Sequence, residues 1–224
     1  MEYKYELHCH TKNVSKCGRL DAAEAVKLYK AAGYSGMVIT DHFSPMTFSL
    51  KEHLNKKAAV THFLEGYKKA KALESDDFKV FLGVELRFYA TVNDYLVYGI
   101  EEKDLYELPF LLPLYLRRAS RLLRERGFLV IQAHPFREFI TRANPELLDG
   151  VEVLNGKTSK GLNDKAENWA LSFKKPAVMT GGSDCHSESQ LGTSGIITTK
   201  KLQSNADLLR ILKSGNYKII GKDL

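Results

Sequence analysis

Cysteine is scarce in this chain. Cys9, Cys17 and Cys185 are the three present, scattered along it, and no two form a C-x-x-C pair. A disulfide framework is therefore excluded, and a paired-thiolate zinc site has no support. No apolar run approaches the roughly 20 residues that a membrane helix needs, so no membrane association is expected. The opening residues, Met1-Glu2-Tyr3-Lys4-Tyr5-Glu6, lack the basic start and apolar stretch of a secretory signal. A cytoplasmic protein is the resulting expectation. There is no G-x-G-x-x-G or Walker sequence, which removes the familiar glycine-rich phosphate cradles. Internal repeats, low-complexity tracts and linkers are missing as well. The net charge of +6 favours an anionic partner, but it is spread along the chain. Without a basic stripe it does not argue for a nucleic-acid module in its own right.

What remains is ordinary globular material. A chain of 224 residues, 44% hydrophobic and 27% charged, suffices for one packed α/β domain and does not indicate disorder. Short β-like runs alternate with amphipathic helical stretches, the pattern of parallel strands joined by crossover helices. Strands are expected at Tyr3–His10, Tyr34–Asp41, Phe78–Leu86, Asp94–Ile100, Phe128–His134, Val151–Asn155 and Ala177–Ser183, with a short last one at Tyr217–Ile220. Helices are expected at Asp21–Ala32, stopped by Gly33, and at Leu50–Leu73, Leu114–Arg126, Lys160–Lys174 and Ala206–Ser214. The run Leu108-Pro109-Phe110-Leu111-Leu112-Pro113 breaks a helix and marks a bend. The architecture expected is a single-domain α/β TIM-like barrel of about seven strands spanning residues 1–224.

Five of the seven histidines fall where an expected strand runs out. Leu7-His8-Cys9-His10, Thr40-Asp41-His42, Ala133-His134-Pro135 and Ser183-Asp184-Cys185-His186 each close a strand, and Glu85 ends another. In a parallel barrel these ends share one face, the face where active sites are built. Taken singly, each histidine is more often a cap or a core residue, Asp41 a turn former and Asp184 a helix cap. That bland reading does not account for their coincidence. Imidazoles and carboxylates converging from five strand ends form a ligand set for a borderline divalent metal. Alternation along a strand points His8 and His10 one way and Cys9 the other, and the same holds for Asp184, His186 and Cys185 if the strand persists. Cys9 and Cys185 are then small apolar groups packed outward, and Cys17 is read as a loop thiol without function, with an approach to the metals as the alternative. His53 and His62 belong to a polar helix and are not counted as ligands. Alternation also sets Val151 and Val153 on the side of Asn155, with Glu152 facing away.

Together these motifs resemble the PHP (polymerase and histidinol phosphatase) family, in the right order over nearly the whole chain. The resemblance implies a distorted seven-stranded β/α barrel with two or three divalent metal ions, zinc, manganese or iron, that hydrolyses phosphoesters. By matching motif, His8, His10, Glu85 and Asp184 would hold one metal, His42 and His186 a second, and Glu85 with His134 a third. Asp41 would orient a ligand. The chain departs from the family twice. Ser15-Lys16-Cys17-Gly18 stands where an acidic ligand is usual, and Asn93-Asp94-Tyr95-Leu96 where the fourth strand often supplies a histidine.

The mechanism expected is attack of a metal-activated hydroxide on phosphorus. Arg137 is the first choice to hold the substrate's phosphate, followed by Lys16, Arg19 and Asn155; solvated surface charge is the alternative for Lys16 and Arg19. The substrate expected is a small phosphomonoester of the histidinol phosphate kind, with a phosphotyrosine peptide, a nucleotide or an oligonucleotide left open. Two rivals stand beside this reading. An amidohydrolase-like enzyme cleaving C–N or C–O bonds would want a bridging lysine on strand four, where Asp94–Ile100 has none. A non-catalytic, metal-stabilised binding domain would fit the missing acidic ligand. The oligomeric state is not legible.

Overall fold

The computed structural model describes residues 1–222. In chain order the elements are β1 (Tyr3–Cys9), α1 (Ala22–Ala31), β2 (Gly36–Ile39), β3 (His42–Phe43), α2 (Leu50–His53), α3 (Lys56–Lys71), β4 (Lys79–Leu86), β5 (Tyr95–Tyr98), α4 (Glu102–Glu107), α5 (Leu116–Glu125), β6 (Leu129–Gln132), β7 (Gly150–Asn155), α6 (Lys160–Leu171), β8 (Val178–Gly182), β9 (Gly195–Thr198), α7 (Asn205–Ser214) and β10 (Lys218–Ile220). The strands run in the order β10-β9-β1-β2-β4-β5-β6-β7-β8, with β3 added beside β4. Seven of them, from β1 to β8 without β3, make the staves of the expected barrel. It closes where the chain after β8 meets β1: the His10 N–H donates to the Cys185 carbonyl at 2.9 Å, and the Cys185 N–H to the His8 carbonyl at 3.0 Å.

Local chemistry sets most of the boundaries. The Asp21 carboxylate accepts from the Ala23 N–H at 3.0 Å and caps α1, as its place before the apolar run predicts. The long helix expected over Leu50–Leu73 is instead two. Asn55 lies between α2 and α3 and accepts from the Ala58 N–H at 3.1 Å, so its short amide serves the second helix as a cap. A larger correction concerns strand direction. β5 runs antiparallel to both β4 and β6. The link from β4 to β5 carries no helix, and a short link returns the chain alongside itself rather than across the sheet. The reversal brings Asp94, which precedes β5, to the rim where the parallel strands end. The strand β9 was not foreseen. It pairs antiparallel with β1 and β10, a ribbon wedged between β1 and β8 below the closure.

Side chains alternate between two apolar layers. Tyr5, Leu7, Val38, Phe81, Leu96, Tyr98, Leu129 and Ile131 fill the barrel, and Leu208 and Leu212 of α7 close its lower end. Met37, Ile39, Val80, Leu82, Val84 and Val97 face outward to the helices, with Cys9 and Cys185 in the same layer, as expected. Each fully buried large apolar side chain contributes roughly 1.5–3 kcal/mol. Two irregularities break the alternation, one in β1 between Glu6 and Cys9 and one in β7 between Glu152 and Leu154. Both lie under the rim that carries the histidines. Among the described residues no helix is long and apolar enough to cross a membrane.

Candidate metal centre

Glu85 is the hub. Its position on β4 follows Phe81 and Gly83 into the barrel, and it is 1% exposed. One oxygen, Oε1, lies 3.2 Å from His8 Nε2 and 3.2 Å from His134 Nε2. The other, Oε2, lies 3.2 Å from His10 Nε2 and 2.8 Å from His42 Nδ1. Asp184 stands opposite, with Oδ1 3.6 Å from His8 Nε2, 3.3 Å from His10 Nε2 and 3.3 Å from His186 Nδ1. All seven ligands expected from the sequence therefore meet in one place. Ligand atoms within 4.8 Å of one another form three groups: His8, His10 and Glu85; His10, His42 and His186; and His42, Glu85 and Asp94.

Neighbours fix which nitrogen each imidazole offers. A carboxylate only accepts, so the His8 Nδ1–H donates to Glu152 Oε1 at 2.8 Å and turns Nε2 inward. The Ser15 hydroxyl donates to Asp41 Oδ1 at 2.6 Å and therefore accepts from His10 Nδ1 at 3.2 Å, which leaves His10 Nε2 free. Asp41 also accepts from the Thr11 N–H and hydroxyl, both at 2.7 Å. It reaches the site only through Ser15 and the loop it pins. Backbone strain accompanies this order: Asp184 has φ +50° and His134 φ +29°, where L residues are disfavoured. The strand pattern does not persist to Asp184, yet both Asp184 and His186 still reach the cluster.

Charge is uneven across the site. Burial acts to lower the His8 and His42 pKa values, but facing carboxylates outweigh it: Glu152, Asp184 and Glu85 raise His8, and Glu85 raises His42. His10 goes down, through burial and then the nearby His42. Burial would raise Glu85 and Asp184, yet the surrounding imidazoles hold both well below the usual carboxylate range. Asp94 is pushed up by burial and by the Glu85 charge, against its pairing with Arg87. His42 Nδ1 and Glu85 Oε2 lie in ion-pair range but outside hydrogen-bond geometry, and neither has a hydrogen-bond partner among the described residues, nor does His134 Nδ1. Burying an ion costs on the order of several kcal/mol, so the unpartnered Glu85 Oε2 and His42 Nδ1, both facing the cluster, suit a bound cation.

The outlying candidates divide. Arg137 Nη2 donates to Asp184 Oδ2 at 2.6 Å and to Asn155 Oδ1 at 2.9 Å, so both join the rim. Lys16 and Arg19 are exposed, and Arg19 meets the site through its backbone N–H, which donates to the His186 carbonyl at 2.7 Å. His53 and His62 lie elsewhere, paired with Tyr89 and Glu52.

Three readings need correction or addition. Glu152 does not face away from Asn155: the Asn155 amide donates to Glu152 Oε2 at 2.9 Å, because the irregularity between them shifts the alternation by one. A carboxylate between Val151 and Val153 in an apolar strand was the available signal. Nearby His186 and His42 lower the Cys17 pKa to about 6, although burial alone would raise it. Arg87 and Lys157 were passed over. The Arg87 guanidinium pairs with both oxygens of Asp94, at 2.7 and 2.6 Å, and Lys157 Nζ lies 3.3 Å from His186 Nδ1. Each sits two positions beyond a residue already singled out, Glu85 and Asn155.

Comparison with known proteins shows the family. The family model described as PHP domain matches residues 6–170, and one described as PHP-associated matches residues 160–217. A tyrosine-protein phosphatase of Bacillus subtilis, YwqE, is 27% identical over 153 residues, 64% of this chain and 58% of the relative. The chain thus matches little more than half the length of that curated relative. Among solved structures, PsfC from Pseudomonas syringae aligns with TM-score 0.69 and 17% identity, covering 93% of this chain and 88% of the other. The lesion-specific endonuclease PfuEndoQ from Pyrococcus furiosus aligns with TM-score 0.65 and 17% identity, covering 98% and 58%. These two likenesses are of fold.

Proposed function

Since the chain belongs to the PHP-domain family of metal-dependent phosphoesterases, we propose that it hydrolyses a small phosphomonoester at the His8–His186 rim. One observation carries the reading: the two Glu85 oxygens face different pairs of imidazoles, the arrangement of a carboxylate shared between cations. The residues fit such a group. His8, His10, Glu85 and Asp184 would hold one divalent metal, His42 and His186 a second, and Glu85 with His134 and Asp94 a third. Mixed imidazole and carboxylate donors suit zinc, manganese or iron. When bound, paired metals of this kind supply an activated water at neutral pH and offset charge developing at phosphorus.

The protein's own groups do the rest. Glu152 and the Ser15–Asp41 pair hold His8 and His10 in one tautomer and one orientation. Arg137 has further donors beyond those that meet Asp184 and Asn155, and these would bind phosphate oxygens, with Lys157 beside it. Lys16 and Arg19 stand on the exposed loop, where a larger substrate's additional charges would meet them. An aryl phosphate such as phosphotyrosine is the first substrate to try, a choice supported by the tyrosine phosphatase relative. Residues 1–224 are proposed to act as one phosphoesterase domain. The C–N hydrolase alternative gains nothing from β5, whose residues Tyr95-Leu96-Val97-Tyr98 include no lysine.

Metal content, paired with aryl phosphate hydrolysis before and after chelation, tests the proposal. Two or three metals per chain are expected, with activity that disappears on chelation and returns with manganese or zinc. Metal-loaded protein that leaves a panel of phosphomonoesters untouched would sink it.

A further inference from the structure

Charge that is dispersed along the sequence is gathered by the fold at one end of the barrel. Two surface cavities, of about 670 and 660 Å³, flank α7. The first opens between α5 and the end of α7 and is lined by Arg117, Arg121, Arg124 and Lys213. The second lies between α7 and the β9–β10 ribbon, with Lys200, Lys201, Arg210 and Lys218. Four carboxylates, Glu2, Glu125, Asp149 and Asp207, share these cavities with the eight cations. The excess of four positive charges compares with a net +6 for the whole chain. A third cavity is balanced, with Lys71 and Lys103 against Glu101 and Glu102.

Helical spacing aligns the arginines. Arg117, Arg121 and Arg124 fall at i, i+4 and i+7 of α5 and share one exposed face, while Ala119, Ser120 and Leu123 turn inward. Gly127 and Phe128 precede β6, Asp149 precedes β7 and Lys218 opens β10. Both cavities therefore sit where these strands begin, at the end opposite the histidines. The carboxylates compete weakly for the cations. Arg121 lies 4.0 Å from Glu125, Arg124 3.0 Å from Asp149 and Arg210 2.9 Å from Asp207. The three arginines are exposed, and such pairs contribute about 0–1 kcal/mol, so a phosphate can take the carboxylate's place. Arg117, Lys200, Lys201 and Lys218 have no carboxylate partner among the described residues.

We propose that this face docks a single strand of nucleic acid through its phosphates, away from the metal rim and without regard to base sequence. Guanidinium groups match phosphate with two parallel hydrogen bonds, and half of the eight cations are arginines. Each cavity also has an apolar wall, Leu202, Ile211 and Tyr217 in one and Phe128 and Leu147 in the other. Single-strand sites combine such a cationic groove with apolar or aromatic surface for the bases. An acidic peptide would match the charge and leave these walls uncovered. A lipid surface would want protruding apolar groups, yet the exposed Met46, Leu50, Leu54 and Phe139 line neither cavity. The docking face stands whether or not the rim holds metal.

The probe is a labelled single-stranded oligonucleotide of mixed sequence, about 20 nucleotides long so that it exceeds the roughly 4–16 that single-strand sites span. Its binding to the full-length protein is followed by fluorescence anisotropy over a range of salt concentrations. Each phosphate contact contributes about 0.7 to the slope of log affinity against log salt. Replacing Arg117, Arg121 and Lys213 together by alanine should therefore make that slope shallower by about 2. Lys200→Ala with Lys201→Ala should make it shallower by about 1 and tests the second cavity should the first variant fail to fold. Alanine at Lys27, Lys57 and Lys165, exposed on α1, α3 and α6, removes the same charge elsewhere and should leave the slope unchanged. Equal losses from the two triple variants would reduce the effect to bulk charge and overturn the assignment. So would a polyglutamate peptide that competes as well as an oligonucleotide of equal charge, or the absence of binding at low salt.

Discussion

A single carboxylate in an apolar strand shows how much one residue organises here. Glu152 is 1% exposed, and its two oxygens take the His8 imidazole, the His134 N–H and the Asn155 amide. Replacing it by glutamine leaves the shape but removes the charge and allows the His8 ring to turn. Glu152→Gln should fold, and should lose about 10–100-fold in metal affinity, read by competition with a chromophoric chelator. Arg137 acts on a different quantity. Its charge-assisted hydrogen bonds to a phosphate are worth roughly 1.5–3 kcal/mol, so Arg137→Ala should lower kcat/KM for an aryl phosphate by about 10–150-fold while metal content stays unchanged. Metal lost in proportion to activity would instead make Arg137 a support for Asp184. Residue identities at the rim were legible because histidines and acids at strand ends have few structural reasons to gather. Glu152 escaped because its phase along β7 depends on an irregularity that side-chain alternation does not encode.

At the scale of the element, α3 and β5 are instructive. Gly66 lies in the interior of α3, where alanine would ordinarily gain about 1 kcal/mol of helix propensity. Here a Cβ would come within 2.4 Å of Thr11 Oγ1 and 2.5 Å of Asp41 Oδ2, both locked in the hydrogen bonds that hold the loop after β1. Overpacking costs about 1–3 kcal/mol, so the clash outweighs the propensity. Gly66→Ala should therefore lower Tm, by about 2–4 °C per kcal/mol lost, and a higher Tm would show that the helix simply shifts away. The strand β5 was found in the sequence but given the wrong direction. Direction is set by the link that precedes it, and the stretch between Leu86 and Tyr95 has no periodic pattern to reveal a hairpin-like return. The split between α2 and α3 was equally hidden, since Leu54-Asn55 interrupts neither polarity nor helical spacing.

For the molecule as a whole, the barrel and its stave count were legible because seven apolar runs alternated with helical segments. The β9–β10 ribbon was only half legible, as four residues, Gly195–Thr198, carry too short a pattern. Stability at this scale should depend on the bound ions. A ligand that binds only the folded state adds about 2.7 kcal/mol at a hundredfold excess over its Kd. For a chain of this size that is a rise of about 5–10 °C in Tm, measured by titrating zinc or manganese into stripped protein. An unchanged Tm at saturating metal would show that the cluster is already rigid without it. The barrel itself suggests where the gain would arise. Its staves are joined at the last gap by two backbone hydrogen bonds, from His10 to Cys185 and from Cys185 to His8. The residues flanking that join, His8 and His10 on one side and Asp184 and His186 on the other, are the proposed metal ligands. An ion bound there is a clasp across the weakest seam of the cask, so that readying the site for chemistry and latching the barrel shut become a single event.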